Sequence, residues 1–312
     1  MAAMSNQLKR TLFAILCLIW GSTWLAIRLT VAELPPLTGA GLRFVLATVC
    51  VLAYALFRKK SLRLTKPGLH GWMMLCALLV YVIDYGLIYW AEQFISAGVT
   101  AIFFATFPLF TALFSRLILA EREISRTGLL GIVLGFLGIV IVFFDQLIQT
   151  RFQTIIMLAS LAVVVAAVSA GLATVLVKKV ARGIPALAVT FHQLFWGSIF
   201  LALLSLLFTP LPRSLPSMTA LGATFYLGTV GTALAFVLYY RLLQEKSAVS
   251  ISTIGYITPL IALLLDFLVF TAIPPLKTWL GMLIVFLAIY LVNRPGPLPA
   301  LPLAPEVSRE IS

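Results

Sequence analysis

Ten long apolar runs constrain this chain more than any other feature of its sequence. A helix needs about 20 predominantly apolar residues to cross the hydrocarbon core of a bilayer. Residues 11–31, 37–57, 71–91, 98–119, 128–144, 154–177, 186–208, 219–239, 248–270 and 278–292 meet or approach that length, the fifth and tenth runs being the shortest. Lipid offers no partner for a backbone amide, so each run is predicted to be a helix; none alternates with the period-two pattern of a barrel strand. Overall, 62% of the residues are hydrophobic and 10% charged. Soluble domains carry about 25% charged residues, so much of this apolar surface must face lipid.

The basic residues test the count of ten. With both termini on one side, that side holds Lys9, Arg10, Arg58, Lys59, Lys60, Arg63, Lys66, Arg116, Arg122, Arg126, Lys178, Lys179, Arg182, Arg241, Lys246, Arg294 and Arg309. The other side holds Arg151, Arg213 and Lys277, leaving Arg28 and Arg43 within helices. Short loops rich in Lys and Arg stay in the cytoplasm. Both termini are therefore expected there, in a multi-pass protein of the cell inner membrane. The net charge of +12 is topological; its dispersal between apolar runs argues against a nucleic-acid partner.

Cys17, Cys50 and Cys76 lie inside apolar runs without paired spacing or a neighbouring His, so neither a disulfide framework nor a metal site is expected. The first run is too long for a signal-peptide core and is read as an uncleaved helix. The expected organisation is a cytoplasmic N-terminus at residues 1–10, a first five-helix unit at 11–144, a second at 154–293, and a proline-rich tail at 294–312.

The two units echo each other. The stretch from Ala97 aligns with that from Ala248, setting Pro108 against Pro259, Leu109 against Leu260 and Tyr89 against Tyr240. Near the start of the second helix of each unit, Pro36 falls opposite Pro185, which sets Arg43 against His192. Five helices per unit, an odd number, make the units inverted. In secondary transporters built this way, helices interrupted by Gly or Pro at matching positions point to a binding site near the midplane. Pro108, Gly255 and Pro259 are the helix-break and gating candidates.

These features together resemble the drug/metabolite transporter superfamily, and within it the EamA-type ten-helix transporters. The resemblance rests on Trp20-Gly21-Ser22-Thr23-Trp24 in the first helix, Pro36 and Arg43 in the second, the Pro108-Leu109 pair and Glu121 around the fourth, and Gly128, Gly131, Gly135 and Gly138 in the fifth. The second unit departs from it, with Ala272 where Glu121 stands and Asp266 where Ser115 stands. The resemblance implies export of amino acids or related small molecules.

Charges within the membrane are expensive and are functional candidates. Arg43 leans outward along its helix, whereas Asp84 is short and leans toward the membrane centre. Asp84 either pairs with Arg43 as a structural bridge or faces a cavity, where it binds a substrate amine or exchanges a proton. His192 is either a proton switch or a neutral packing residue. Tyr81 and Tyr85 share one face of the third helix with Tyr89, and Trp20 sits mid-helix beside small residues. The substrate-binding candidates are therefore Trp20, Arg43, Tyr81, Asp84, Tyr85 and His192.

The expected function is secondary transport of small metabolites by alternating access, without a cofactor but open to proton or ion coupling. The expected partners are a small-molecule substrate and the lipid bilayer; oligomeric state is left open. An integral-membrane enzyme and a channel are the alternatives. The sequence has no G-x-S-x-G, no H-E-x-x-H and no evident selectivity filter.

Overall fold

A computed structural model describes residues 4–64, 67–119, 125–142, 144, 148, 154–209, 215–270 and 276–293. The loop cations Lys66, Arg122, Arg151 and Arg213, together with Glu121, Ala272, the tail from Arg294 and the side chain of Asp266, lie outside the described part.

The described chain is helical. Its segments are α1 (Asn6–Val31), α2 (Pro36–Phe57), α3 (Leu69–Ala91), α4 (in two pieces, Ala97–Phe104 and Phe107–Ile118) and α5 (Arg126–Val142). The second half holds α6 (Thr154–Val180), α7 (Ala186–Phe208), α8 (Met218–Glu245), α9 (Ala248–Ser252 and Ile254–Phe270) and α10 (Leu276–Asn293). Seven of these are long and apolar enough to cross a membrane, and α5, α9 and α10 contain shorter apolar helices. Several helices outrun their apolar cores: α1 begins at Asn6, and α8 continues to Glu245. Residues such as Lys, Arg, Gln and Glu are good helix formers, so leaving the hydrocarbon does not end the helix.

Local signals repeat between the halves. Ser96 accepts the amide of Val99 at the start of α4, and Ser247 accepts that of Ser250 at the start of α9, each satisfying a donor left unpaired by the first helical turn. A proline stands just before α2 and α7, and the two helix starts pair Pro35, not Pro36, with Pro185. This corrects the expected register by one residue. Arg43 then lies opposite Gln193, and His192 falls opposite the exposed Leu42. Burial confirms the shift: Gly39, Ala40, Arg43, Phe44, Ala47, Thr48 and Val51 are buried, as are Val189, Thr190, Gln193, Leu194, Gly197, Ser198 and Leu201 at the matched positions.

The packing obeys the same two-fold relation. Helix α2 packs on α7 and α5 on α10, each with its own counterpart, while α1 against α9 is matched by α6 against α4. Glycines permit these close contacts. A Cβ on Gly21 would lie 2.5 Å from Ile261 of α9, and one on its counterpart Gly171 would lie 3.0 Å from the Thr111 amide nitrogen of α4.

Two features interrupt the regular α-helices. Leu78–Asp84 in α3 and Thr229–Leu234 in α8 are π-helical and begin at matched positions. A π turn widens the helix and disturbs its regular i→i−4 bonding, a deviation often found at functional sites. The other is the pair of breaks in α4 and α9, near Ala105 and Thr253. The rings of Pro108 and Pro259 each crowd the carbonyl four residues earlier, those of Phe104 and Gly255.

Candidate solute-binding cavity between the halves

The broken segments of α4 and α9 and the π-helical stretch of α3 border one cavity within the bundle. The space between its walls, open mouth included, is about 770 Å³. Helices α1, α3 and α4 supply one side, and their counterparts α6, α8 and α9 the other.

Much of the wall is paired position by position. Trp20, Thr23, Trp24 and Ile27 of α1 are matched by Ala170, Ala173, Thr174 and Val177 of α6. Tyr85 and Ile88 of α3 are matched by Phe236 and Tyr239 of α8, and Phe104 and Phe107 of α4 by Gly255 and Thr258 of α9. The two-fold axis therefore runs through the cavity. The chemistry is unequal across it: Trp20 faces an Ala counterpart and Phe104 a Gly, so the first half carries more of the aromatic bulk.

Asp84 is the one carboxylate on this wall, and no Lys, Arg or His lines it among the described residues. The side chain is 4% exposed, and its Oδ1 has no hydrogen-bond partner. Its counterpart in α8 is Ala235. Asp84 and Arg43 form no ion pair, whereas Lys9 pairs with Glu245 at 2.9 Å.

Arg43 is fully buried but off the wall. Its Nε donates to Thr232 Oγ1 at 2.6 Å and its Nη2 to the Gly231 carbonyl at 3.3 Å, both in the π-helical stretch of α8. Its guanidinium carbon stands 4.6 Å from the centroid of the Tyr85 ring, in cation–π range. Trp20 Nε1 donates to the same Gly231 carbonyl at 3.1 Å. In the other half, Ser169 donates to the Leu79 carbonyl of the α3 π stretch at 2.8 Å. Side chains from neighbouring helices thus bond carbonyls within both widened turns.

The expected site residues separate into two groups. Trp20, Asp84, Tyr85 and Gly255 line the cavity. Arg43, Tyr81, His192, Pro108 and Pro259 do not. Tyr81 is buried behind the wall, packed on Phe44 at 4.7 Å between ring centroids. His192 is hydrogen-bonded to the Leu62 carbonyl at 2.8 Å and lies edge-on to His70, at the end of α7 away from the cavity. Pro108 and Pro259 act through the backbone. A Cβ on Gly255 would lie 3.2 Å from Phe107 and 3.7 Å from Pro108, so the disrupted stretches of α4 and α9 meet each other at the cavity.

Several wall and support residues escaped the sequence reading. Phe104, Phe107 and Phe236 carry no charge or spacing that sets them apart in sequence from other apolar aromatics. Gln193, which accepts a hydrogen bond from Tyr240 at 2.8 Å, was hidden by the one-residue register error. Glu92 at the end of α3 is buried, with both carboxylate oxygens unpartnered, and lies off the wall.

Comparison with known proteins agrees with this architecture. The sequence profile described as the EamA-like transporter family matches residues 9–144 and again residues 157–294. The chain is 29% identical over 305 residues to the uncharacterized inner membrane transporter YedA of Escherichia coli K12, covering 96% of this chain and 95% of that protein. It is 26% identical over 275 residues to the uncharacterized transporter YoaV of Bacillus subtilis, covering 88% and 92%, and 28% identical over 259 residues to protein PagO of Salmonella typhimurium, covering 82% and 83%. A protein of known crystal structure superposes with a TM-score of 0.77 over 93% of this chain and 97% of its own, at 19% identity. That likeness concerns the fold alone. Two profile matches that together span nearly all of the chain establish that it belongs to the EamA-like transporter family.

Proposed function

We propose that this protein is an alternating-access exporter of small metabolites, amino acids or related amine-bearing compounds, in the cell inner membrane. The observation that carries the reading is the cavity: both inverted halves contribute matched residues to it, and it presents one buried carboxylate, Asp84. A site on the pseudo-two-fold axis can be exposed to either side by rocking one half against the other. The paired breaks in α4 and α9, in contact beside Gly255, are the hinge of that motion. The α2–α3 loop, with Arg58, Lys59, Lys60 and Arg63, lies on the cytoplasmic side, as do both termini. Proton exchange at Asp84 is the coupling step, because a buried carboxylate in a membrane needs a proton, a cation or water.

Profiling of the culture medium tests this. Cells overproducing the native chain are expected to accumulate amine-bearing metabolites outside, and cells producing Asp84→Asn at equal membrane levels are not. Identical media from the two strains would overturn the reading.

A further inference from the structure

The cavity wall carries one acidic side chain and no basic one among the described residues, which narrows the class of solute. Resting on the reading of this cavity as a transporter's solute site, and replacing the amino acids named there with a narrower class, we propose that it takes an organic cation: a protonated or quaternary amine on an aromatic or apolar body, without a carboxylate. Three observations support this. Asp84 lines the cavity with Oδ1 unpartnered, and a buried charge left without a partner is costly enough that an incoming cation is favoured there. Trp20, Trp24, Tyr85, Phe236 and Tyr239 stand on the same wall, and aromatic faces attract ammonium groups most strongly where water is excluded.

The third observation is the position of Arg43. A zwitterion such as an amino acid needs a cation for its carboxylate, and Arg43 was the candidate. Its Nε and Nη2 are instead bonded to Thr232 and Gly231, and although its Nη1 has no hydrogen-bond partner, Arg43 lies off the wall. A solute carboxylate in this cavity would share it with Asp84 and meet no Lys, Arg or His among the lining residues.

A charge series on one aromatic body tests the inference in purified protein held in lipid nanodiscs. The probes are 2-phenylethylamine, benzyltrimethylammonium, phenylalanine and 3-phenylpropionate, and binding is read by calorimetry and by quenching of tryptophan fluorescence. The two cations are expected to bind at least about tenfold more tightly than the zwitterion or the anion. Asp84→Asn is expected to weaken both cations by about tenfold or more. Phenylalanine or phenylpropionate binding as tightly as phenylethylamine, indifference of the cations to Asp84→Asn, or no binding by either cation would each overturn the proposal. The charge series uses the native chain, so it decides even if the variant fails to fold.

Proteoliposome flux separates this inference from the one beneath it. If phenylalanine is bound and moved while the amines are not, transport stands and the cation preference falls. If the amines bind saturably and do not cross, the cation site stands and transport of these solutes falls.

Discussion

Arg43 of α2 and Thr232 of α8 meet across the two halves, Nε to Oγ1 at 2.6 Å, with both residues fully buried. The bond ties a guanidinium to the π-helical stretch that also receives Trp20 from α1. It makes Arg43 a brace for the cavity, although a charged residue at that depth reads in sequence as a ligand. Truncation at Arg43→Ala removes charge-assisted bonds worth about 1.5–3 kcal/mol each. The thermal unfolding temperature in detergent is expected to fall, with Arg43→Gln falling less because an amide can still donate to Thr232. A truncated variant as stable as the native protein would show that the brace contributes nothing.

Helices α5 and α10 approach closely enough that glycine is required on both. A Cβ on Gly281 would stand 2.9 Å from the Gly138 carbonyl oxygen, and one on Gly138 would stand 2.7 Å from Val285. The first contact is with backbone, which cannot rotate aside. Gly281→Ala is therefore expected to destabilise by about 1–3 kcal/mol, the usual range for overpacking. Gly222, in α8, has no heavy atom within 4 Å of its added Cβ. Gly222→Ala is expected to be neutral or stabilising by up to about 1 kcal/mol, because alanine favours a helix interior. Paired thermal melts of the two variants check the opposite signs.

Much of this fold was legible because the bilayer imposes a length on each helix, and hydropathy reports that length directly. The break in α4 was legible because Pro108 cannot donate an amide and stands in the first turn of Phe107–Ile118, whereas Pro259 lies inside Ile254–Phe270, six residues past the break at Thr253. The π-helical stretches were not, because Leu78–Asp84 and Thr229–Leu234 have ordinary apolar compositions and their widened turns are held by Arg43, Trp20 and Ser169 from other helices. The site was half legible. Asp84 stood out because a carboxylate in lipid is rare, and Trp20 because it lies mid-helix. Arg43 misled for the same reason that Asp84 did not: rarity flags a buried charge but does not say whether backbone or cavity satisfies it. His192 was singled out because an imidazole within a helix can act as a proton switch, and its bond to Leu62 in the α2–α3 loop could not be read from α7 alone.

The placement of loops follows from the charge bias and can be tested without a substrate. Cys17 and Cys76 are buried and Cys50 is partly so, so a background lacking reactive thiols needs at most three substitutions. Ser61→Cys, in the loop between α2 and α3, is expected to react with a membrane-impermeant maleimide only after the cells are opened. Leu215→Cys, in the exposed segment before α8, is expected to react in intact cells. Labelling of both from the same side would contradict the ten-helix count, because α3–α7 cross an odd number of times between them.

Glu33, in the turn between α1 and α2, accepts hydrogen bonds from both the backbone amide and the hydroxyl of Ser217, each at 2.6 Å. Ser217 in turn caps α8 by accepting the Ala220 amide at 3.2 Å. The first half is thereby fastened to the start of a helix in the second, outside the hydrocarbon. The two bonds from Ser217 hold the Glu33 carboxyl below the usual carboxylate range. A group whose folded value is depressed contributes stability above its unfolded value, and that contribution is lost as pH falls through the folded one. Acidification below the ordinary Glu range is therefore expected to release the fastening, and the carboxylate is the state that also complements the positive end of α8. Hydrogen exchange at the Ser217 amide reads the change directly. Protection is expected at neutral pH, with a decline on acidification beyond the intrinsic pH dependence of exchange, and Glu33→Gln should remove the pH-dependent part. A variant that retained the native pH response would show that another group carries it.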